Sequence, residues 1–437
     1  MNSFINKYKN AGLLVAVAFM GLTACNKEVE QILPVPVTPV ISSARAIGDT
    51  LRLSAEDSLF YKMIVRGGQL TLLNDKTKSF TLFSPNNAAV RQFVSGASGG
   101  LIPPSGAPEA VYVGFINSSL PVASAAGVVQ YQILPQTVRA ANIPTTFPNL
   151  PYPTMLNPNP AASALLRFDG YVSRRTNGAW LNNIPVIAAD RLAANGVIHS
   201  TAAVSVPPST LLWDRINTDV NLSYLKAAIQ RADSGAAPGA SLQYLLGTQA
   251  IAPGLNLTLF APTDAAFIAA LTVQATPAVY ALIYQQAYAA AIGGGATPAQ
   301  AAVIATNAAT ANTPAQTALL VGTPGVFQNP ALFPVLTAQA VKGILAYHLL
   351  FGRRVFSPNI PTTATAIPTF LNTVVAAHPG ITVAASFTGP MVSSATVKGV
   401  ANPTASNLLI NPLPNGSSDQ HYVNGVMHKI DQVLFPQ

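Results

Sequence analysis

The chain repeats itself, and the repeat limits its fold more than any other feature. Thr81-Leu82-Phe83-Ser84-Pro85-Asn86-Asn87-Ala88-Ala89-Val90 returns as Thr258-Leu259-Phe260-Ala261-Pro262-Thr263-Asp264-Ala265-Ala266-Phe267. Gln130-Tyr131-Gln132-Ile133-Leu134 returns as Ala346-Tyr347-His348-Leu349-Leu350, and Ala194-Asn195-Gly196-Val197-Ile198-His199 as Val423-Asn424-Gly425-Val426-Met427-His428. The three segments keep their order in both halves. Repetition at this spacing means two copies of one structural unit, and 437 residues suit two domains better than one.

Each repeated segment has a physical reading. Thr-Leu-Phe alternates polar and apolar, as a half-buried strand does. Pro85 and Pro262 end that strand, and Asn86-Asn87 or Thr263-Asp264 supplies a side-chain oxygen to cap the helix that follows. Asn195-Gly196 and Asn424-Gly425 suit a type I′ hairpin turn, because both residues tolerate positive φ. The strand after each turn closes its domain, at Pro207 in the first copy and Pro436 in the second. This places the first domain at 42–207 and the second at 208–437, with Pro207-Pro208 as a short link that restricts relative motion.

The copies differ in length. Thr81 to Asn195 spans 114 residues and Thr258 to Asn424 spans 166. Most of the excess precedes Tyr347, which places an insertion in the Ala-rich stretch 276–322. Thr276-Pro277, Thr297-Pro298 and Thr313-Pro314 each pair an N-cap with a first-turn proline. Three short additional helices are expected there. Gly293-Gly294-Gly295, Pro298 and Pro314 interrupt the stretch as a membrane span.

The N-terminus reads as an export signal with an anchor. Lys7 and Lys9 precede twelve apolar residues, 11–22, short of the ~20 needed to cross a bilayer. Leu22-Thr23-Ala24-Cys25 then resembles a bacterial lipobox, and Cys25 is the sole cysteine of the chain. Residues 1–24 are expected to be removed and Cys25 lipidated, with two or more acyl chains making attachment stable. Residues 25–41, with Pro34, Pro36 and Pro39, read as an extended stalk. The expected location is the outer membrane as a lipoprotein exposed at the cell surface.

Little here suggests chemistry. The net charge of +8 is scattered, with Arg174-Arg175 and Arg353-Arg354 the only adjacent basic pairs, so nucleic acid is not an expected partner. Only 9% of residues are charged. The polar surface must then be Thr, Ser, Asn and Gln, which suits proteins that work by contact. Five histidines lack metal-ligand spacing, and no P-loop, dinucleotide fingerprint or Gly-x-Ser-x-Gly occurs. No catalytic residue, metal or cofactor is expected. His199 and His428 occupy equivalent positions and are read as structural, as is Asp431. One aromatic group stands out: Tyr152, Phe168, Tyr171 and Trp180 lie in a Pro- and Asn-rich part of the first copy. If exposed, Tyr171 and Trp180 could stack on sugar rings.

With these motifs placed, the sequence resembles the fasciclin family over about 42–437. The signature is TLFAPTDAAF near the start of a domain and a VNGVMHKIDQVLFP-like strand at its end, both present in the second copy. The first copy diverges, with Asn87 for Asp264, Gln132 for His348 and Ala202 for Asp431. The resemblance implies an α+β fold of two fasciclin-like domains, each a twisted β-wedge or sandwich packed with several helices. It also implies a non-enzymatic role in adhesion or matrix contact, with an extracellular protein or polysaccharide as ligand. In animal members the Tyr-His region is linked to receptor contact, which makes Tyr347 and His348 candidate partner-binding residues. The alternative is a glycan-binding accessory lipoprotein of a nutrient-uptake system.

Overall fold

A computed structural model describes residues 45–237, 239–247 and 256–437. The proposed signal, Cys25 and the stalk lie outside them.

The first half opens with helices Ile47–Arg52, Ser58–Arg66 and Leu70–Asn74 and then enters strand β1, Phe80–Pro85. Strands β2 (Ile133–Leu134), β3 (Pro151–Pro153), β4 (Asp169–Arg175), β5 (Gly178–Leu181), β6 (Ile184–Ala193) and β7 (Gly196–Thr201) follow. They form one seven-stranded sheet in the order β2-β1-β7-β6-β5-β4-β3. Helices Ser58–Arg66 and Val122–Tyr131 pack with β1 and β7 around Phe60, Met63, Leu82, Val129 and Ile198.

The second half has β8 (Leu257–Pro262), β9 (Leu349–Phe351), β10 (Thr365–Ile367), β11 (Ile381–Thr388), β12 (Met391–Lys398), β13 (Ser406–Asn407), β14 (Gln420–Tyr422) and β15 (Gly425–Ile430). These make two four-stranded sheets, β14-β15-β8-β9 and β10-β11-β12-β13, joined by a bridge from Leu408 to Ile430.

The repeat in sequence is a repeat in register. β1 runs parallel to β7 with Phe80 opposite Gly196 and Phe83 opposite His199. β8 runs parallel to β15 with Leu257 opposite Gly425 and Phe260 opposite His428. On the other side, Thr81 faces Leu134 and Thr258 faces Leu350, both antiparallel. The first and last strands of each domain therefore lie side by side.

The Asn-Gly motif does not make the expected type I′ turn. Ala193 pairs with Gly196 and Tyr422 with Gly425, so the two-residue loops are Ala194-Asn195 and Val423-Asn424. Neither Asn adopts positive φ. Close approach dictates the glycines instead. A Cβ on Gly196 would lie 1.9 Å from the Phe80 carbonyl oxygen, and one on Gly425 would lie 2.7 Å from that of Leu257.

The insertion also differs from expectation. It forms two long helices, Asp264–Gly293 and Pro298–Val321, packed against each other as an antiparallel hairpin. Only Thr297-Pro298 starts a helix, where Thr297 and Gln300 form a reciprocal cap. Pro277 and Pro314 sit inside helices. Each deprives a single carbonyl of its donor, that of Val273 or Thr310, and both of these residues are exposed, so water can take the donor's place. Ala301, Ala305, Ala309, Thr313 and Thr317 form a buried stripe at four-residue spacing, and such small residues let the helix axes approach closely. The first helix is about 45 Å long at 1.5 Å per residue. Only its opening turns, through Phe267, Leu271 and Ala275, join the domain core. By length and composition alone Asp264–Gly293 meets the requirements of a membrane span, as core helices of water-soluble folds also can.

Candidate functional site

The repeated polar residues hold each domain closed. Thr81 Oγ1 donates to Gln136 O and accepts from Val138 N, both at 2.7 Å. Thr258 Oγ1 does the same with Arg353 O and Val355 N, both at 2.9 Å. Asn195 accepts from Ile47 N at 2.9 Å and donates to Leu73 O at 2.9 Å. Asn424 accepts from Leu212 N at 3.0 Å and donates to Leu246 O at 2.7 Å. These bonds tie the closing hairpin to the opening helices.

Asn86 and Thr263 cap the helices that follow them, whereas Asn87 and Asp264 cap earlier ones. Asn87 Oδ1 accepts from Leu59 N at 3.0 Å, and Asp264 Oδ1 from Tyr224 N at 2.9 Å. Pro85 and Pro262 end the strands opposite Thr201 and Ile430. His199 and His428 each place Nε2 2.8 Å from a carbonyl, of Val138 and Val355. Each accepts at Nδ1, 3.2 Å from the amides of Asp190 and Asp419, two residues with positive φ. Asp431 accepts from Ser406 Oγ at 2.9 Å and from Asn407 N at 2.8 Å, which fastens β13 to the end of β15.

Tyr347 and His348 belong to the interior, and this corrects the expectation that they face a partner. Both are 0% exposed. The Tyr347 hydroxyl donates to Gly380 O at 2.6 Å and accepts from Val400 N at 3.1 Å. His348 Nδ1 lies 2.8 Å from Ile344 O, and its Nε2 accepts from Leu434 N at 2.8 Å. That pair of bonds requires neutral imidazole with the proton on Nδ1. Burial accordingly pushes its pKa down to about 4. In the first copy Gln132 takes the same place and donates to Ser205 O at 2.7 Å.

Tyr171 and Trp180 are likewise buried, at 1% and 0% exposure, so neither presents a face to a sugar. They are covered by the second domain. The Trp180 ring lies 6.1 Å from that of Phe387, and its Nε1 donates to Pro390 O at 3.1 Å, at the tip of the β11–β12 hairpin. Tyr171 packs with Phe356 and Val426, and its hydroxyl donates to Asn256 Oδ1 at 2.6 Å. Arg175, Asn177 and Asn149 extend this seam to Pro358, Gly389 and Asn359. Sequence reasoning missed this because nothing along the chain says that one domain buries the aromatic groups of the other.

Arg354, 5% exposed, lies beside the Tyr171 ring at the centre of the seam. It donates to Asn256 Oδ1 at 2.9 Å, to Tyr422 O at 2.8 Å and to Val423 O at 2.6 Å. His421 Nε2 lies 2.6 Å from Nη1. Burial, and then the Arg354 charge, hold His421 well below the ordinary histidine range. Burial raises Asp169 to about 6 against the pull of the same arginine. Arg354 and His421 are engaged with each other, and Arg354 with three further acceptors, in a structural network. No cluster of three or more His, Cys, Asp or Glu able to hold a metal occurs among the described residues.

The helical hairpin carries an exposed, nearly uncharged surface. No Asp, Glu, Lys or Arg occurs between Asp264 and Lys342. Val303, Ile304, Leu282 and Leu319 are exposed on it. Tyr280, Tyr284 and Tyr288 form a ladder with centroids 6.5 and 6.1 Å apart and planes within 20°. At the root of the hairpin lies an apolar cavity of about 290 Å³ between Phe267, Leu271, Val341 and Ile344. The missing 265–341 charge was visible in the sequence; the single long hairpin it belongs to was not.

Residues 56–207 match the family model described as the Fasciclin domain. No curated protein matches the chain. Among solved structures the chain is similar to one reported as "Novel Fold Revealed by the Structure of a FAS1 Domain Pair from the Insect Cell Adhesion Molecule Fasciclin I". That likeness is 14% identical, covers 86% of this chain and 95% of the other, and has a TM-score of 0.30.

Proposed function

From a tandem pair of fasciclin-like domains packed across a buried seam, we propose a lipid-anchored surface protein for adhesion or matrix contact. Domains of this family are known in cell-adhesion proteins and are in general non-enzymatic. One observation carries the reading: the conspicuous polar and aromatic residues are spent inside the domains or between them, while a long uncharged helical hairpin is left facing outward. A contact surface without charge gives up little hydration energy on docking. Its Ala, Thr and aliphatic face suits a protein ligand better than a polysaccharide. The glycan alternative loses its named stacking residues, since Tyr171 and Trp180 are covered. Attachment through Cys25, on a Pro-containing stalk, would hold the domains away from the membrane.

The test is a chain in which residues 276–322 are replaced by a short Gly-Ser turn. Binding of wild type and variant to arrays of extracellular proteins and of glycans is compared after both are shown to be folded. Loss of protein binding in the variant alone supports the reading. Glycan binding indifferent to the replacement would overturn it. Cells carrying Cys25→Ser should shed the protein from the membrane fraction, and external protease should digest the wild type on intact cells.

A further inference from the structure

The cavity at the root of the hairpin has the character of a ligand site, whatever partner the outer surface takes. Its walls come from the first hairpin helix, through Phe267, Ala270 and Leu271, and from helix Ala338–Tyr347, through Ala340, Val341 and Ile344. No charged side chain lines it, and Gln274 and Gln437 are the polar residues among those that form its wall. Apolar cavities of about 150 Å³ stay dry and accept a benzene-sized molecule. At about 290 Å³ this one has room for twice that, a single chain of about ten to twelve carbons.

A cation stands beside it. Arg231 Nε donates to the carbonyl of Leu336, a lining residue, at 2.8 Å, and the guanidinium lies 3.7 Å above the Phe333 ring. Arg66 makes the matching bond to Leu120 O at 3.0 Å in the first domain, so this Nε contact belongs to the repeated fold. The terminal nitrogens of Arg231 have no carboxylate partner among the described residues. The acids on the neighbouring elements are engaged elsewhere. Asp233 accepts from Leu242 N and Gln243 N, and Asp264 from Ser223 and Tyr224.

We propose that this cavity binds a single-chain amphiphile with an anionic head, an aliphatic carboxylate of about ten to twelve carbons. The tail fills the space between the hairpin root and helix Ala338–Tyr347. The head meets the terminal nitrogens of Arg231 at the rim.

The experiment is calorimetric titration of the full chain carrying Cys25→Ser, which leaves no thiol for a competing lipid, with octanoate, decanoate and decanol. One molecule should bind per chain, and each added methylene should tighten binding about fourfold until the cavity is full. Ala340→Phe and Ala270→Phe should abolish binding in chains that keep the parent melting temperature. Arg231→Gln should weaken decanoate about tenfold while sparing decanol, and Arg66→Gln should change neither. Affinity independent of chain length, or binding that survives both cavity-filling variants, would overturn the proposal. So would an equal loss of decanol and decanoate in Arg231→Gln. A dimer that buries the cavity and excludes decanoate would assign it to a second copy instead.

Discussion

Gly196 and His348 show how single residues are fixed by neighbours far away in the chain. Gly196 combines a φ of 144° with the approach of the Phe80 carbonyl, whereas Gly425 faces the matching approach without positive φ. Gly196→Ala should cost about 3 kcal/mol or more, through strain and overpacking together. Gly425→Ala should cost less, and urea unfolding of the two variants checks the order. His348 is neutral in the fold and ordinary when unfolded. Below the ordinary histidine value of 6.5 the unfolded chain takes up a proton that the native chain refuses until about pH 4. Stability is therefore full above pH 6.5 and falls as the pH drops toward 4, by about 3 kcal/mol from this residue. His421 and His199 are shifted the same way by burial and add to the loss. His348→Gln copies the first domain's Gln132 and should narrow the difference in melting temperature between pH 7.5 and pH 5.

At the scale of elements, the hairpin shows the limits of reading proline as a stop. Thr276-Pro277, Thr297-Pro298 and Thr313-Pro314 look alike in sequence, yet only the middle pair starts a helix. The Thr276 and Thr313 hydroxyls instead donate to the carbonyls of Thr272 and Ala309 within continuous helices. The choice depends on whether a partner helix lies alongside, and the buried small-residue stripe of Pro298–Val321 supplies that partner. Thr297→Ala should lower local stability by about 1 kcal/mol, as a lost N-cap does. Pro277→Ala should raise it by as much as ~3 kcal/mol. Amide hydrogen exchange across 264–321 reads both effects, slower in the second variant and faster near 298 in the first.

For the whole molecule, the seam matters more than the link at Pro207-Pro208. Arg354 brings a charge into a setting of neutral acceptors, and its removal would leave the Tyr422 and Val423 carbonyls and Asn256 short of donors. Arg354→Met should cost about 3 kcal/mol. The loss should fall on the second domain, which holds all of the arginine's hydrogen-bond partners, and calorimetry checks it as a lower transition temperature for that domain. Trp180, packed on Phe387 and Pro390 of the other domain, reports the same event by fluorescence.

By itself the sequence determined the presence of two like units and the strand that opens and closes each, as well as the positions of Thr81, Asn195, His199 and their counterparts. Those features are local motifs whose backbone needs travel with them wherever they recur. The tertiary structure alone decided that Tyr171, Trp180, Tyr347 and His348 are interior, that glycine is required by an adjacent strand and not by a turn, and that an Ala-rich stretch forms one paired hairpin. Burial and close approach are properties of what packs alongside a residue, and that neighbour is often a hundred or more positions away in the chain.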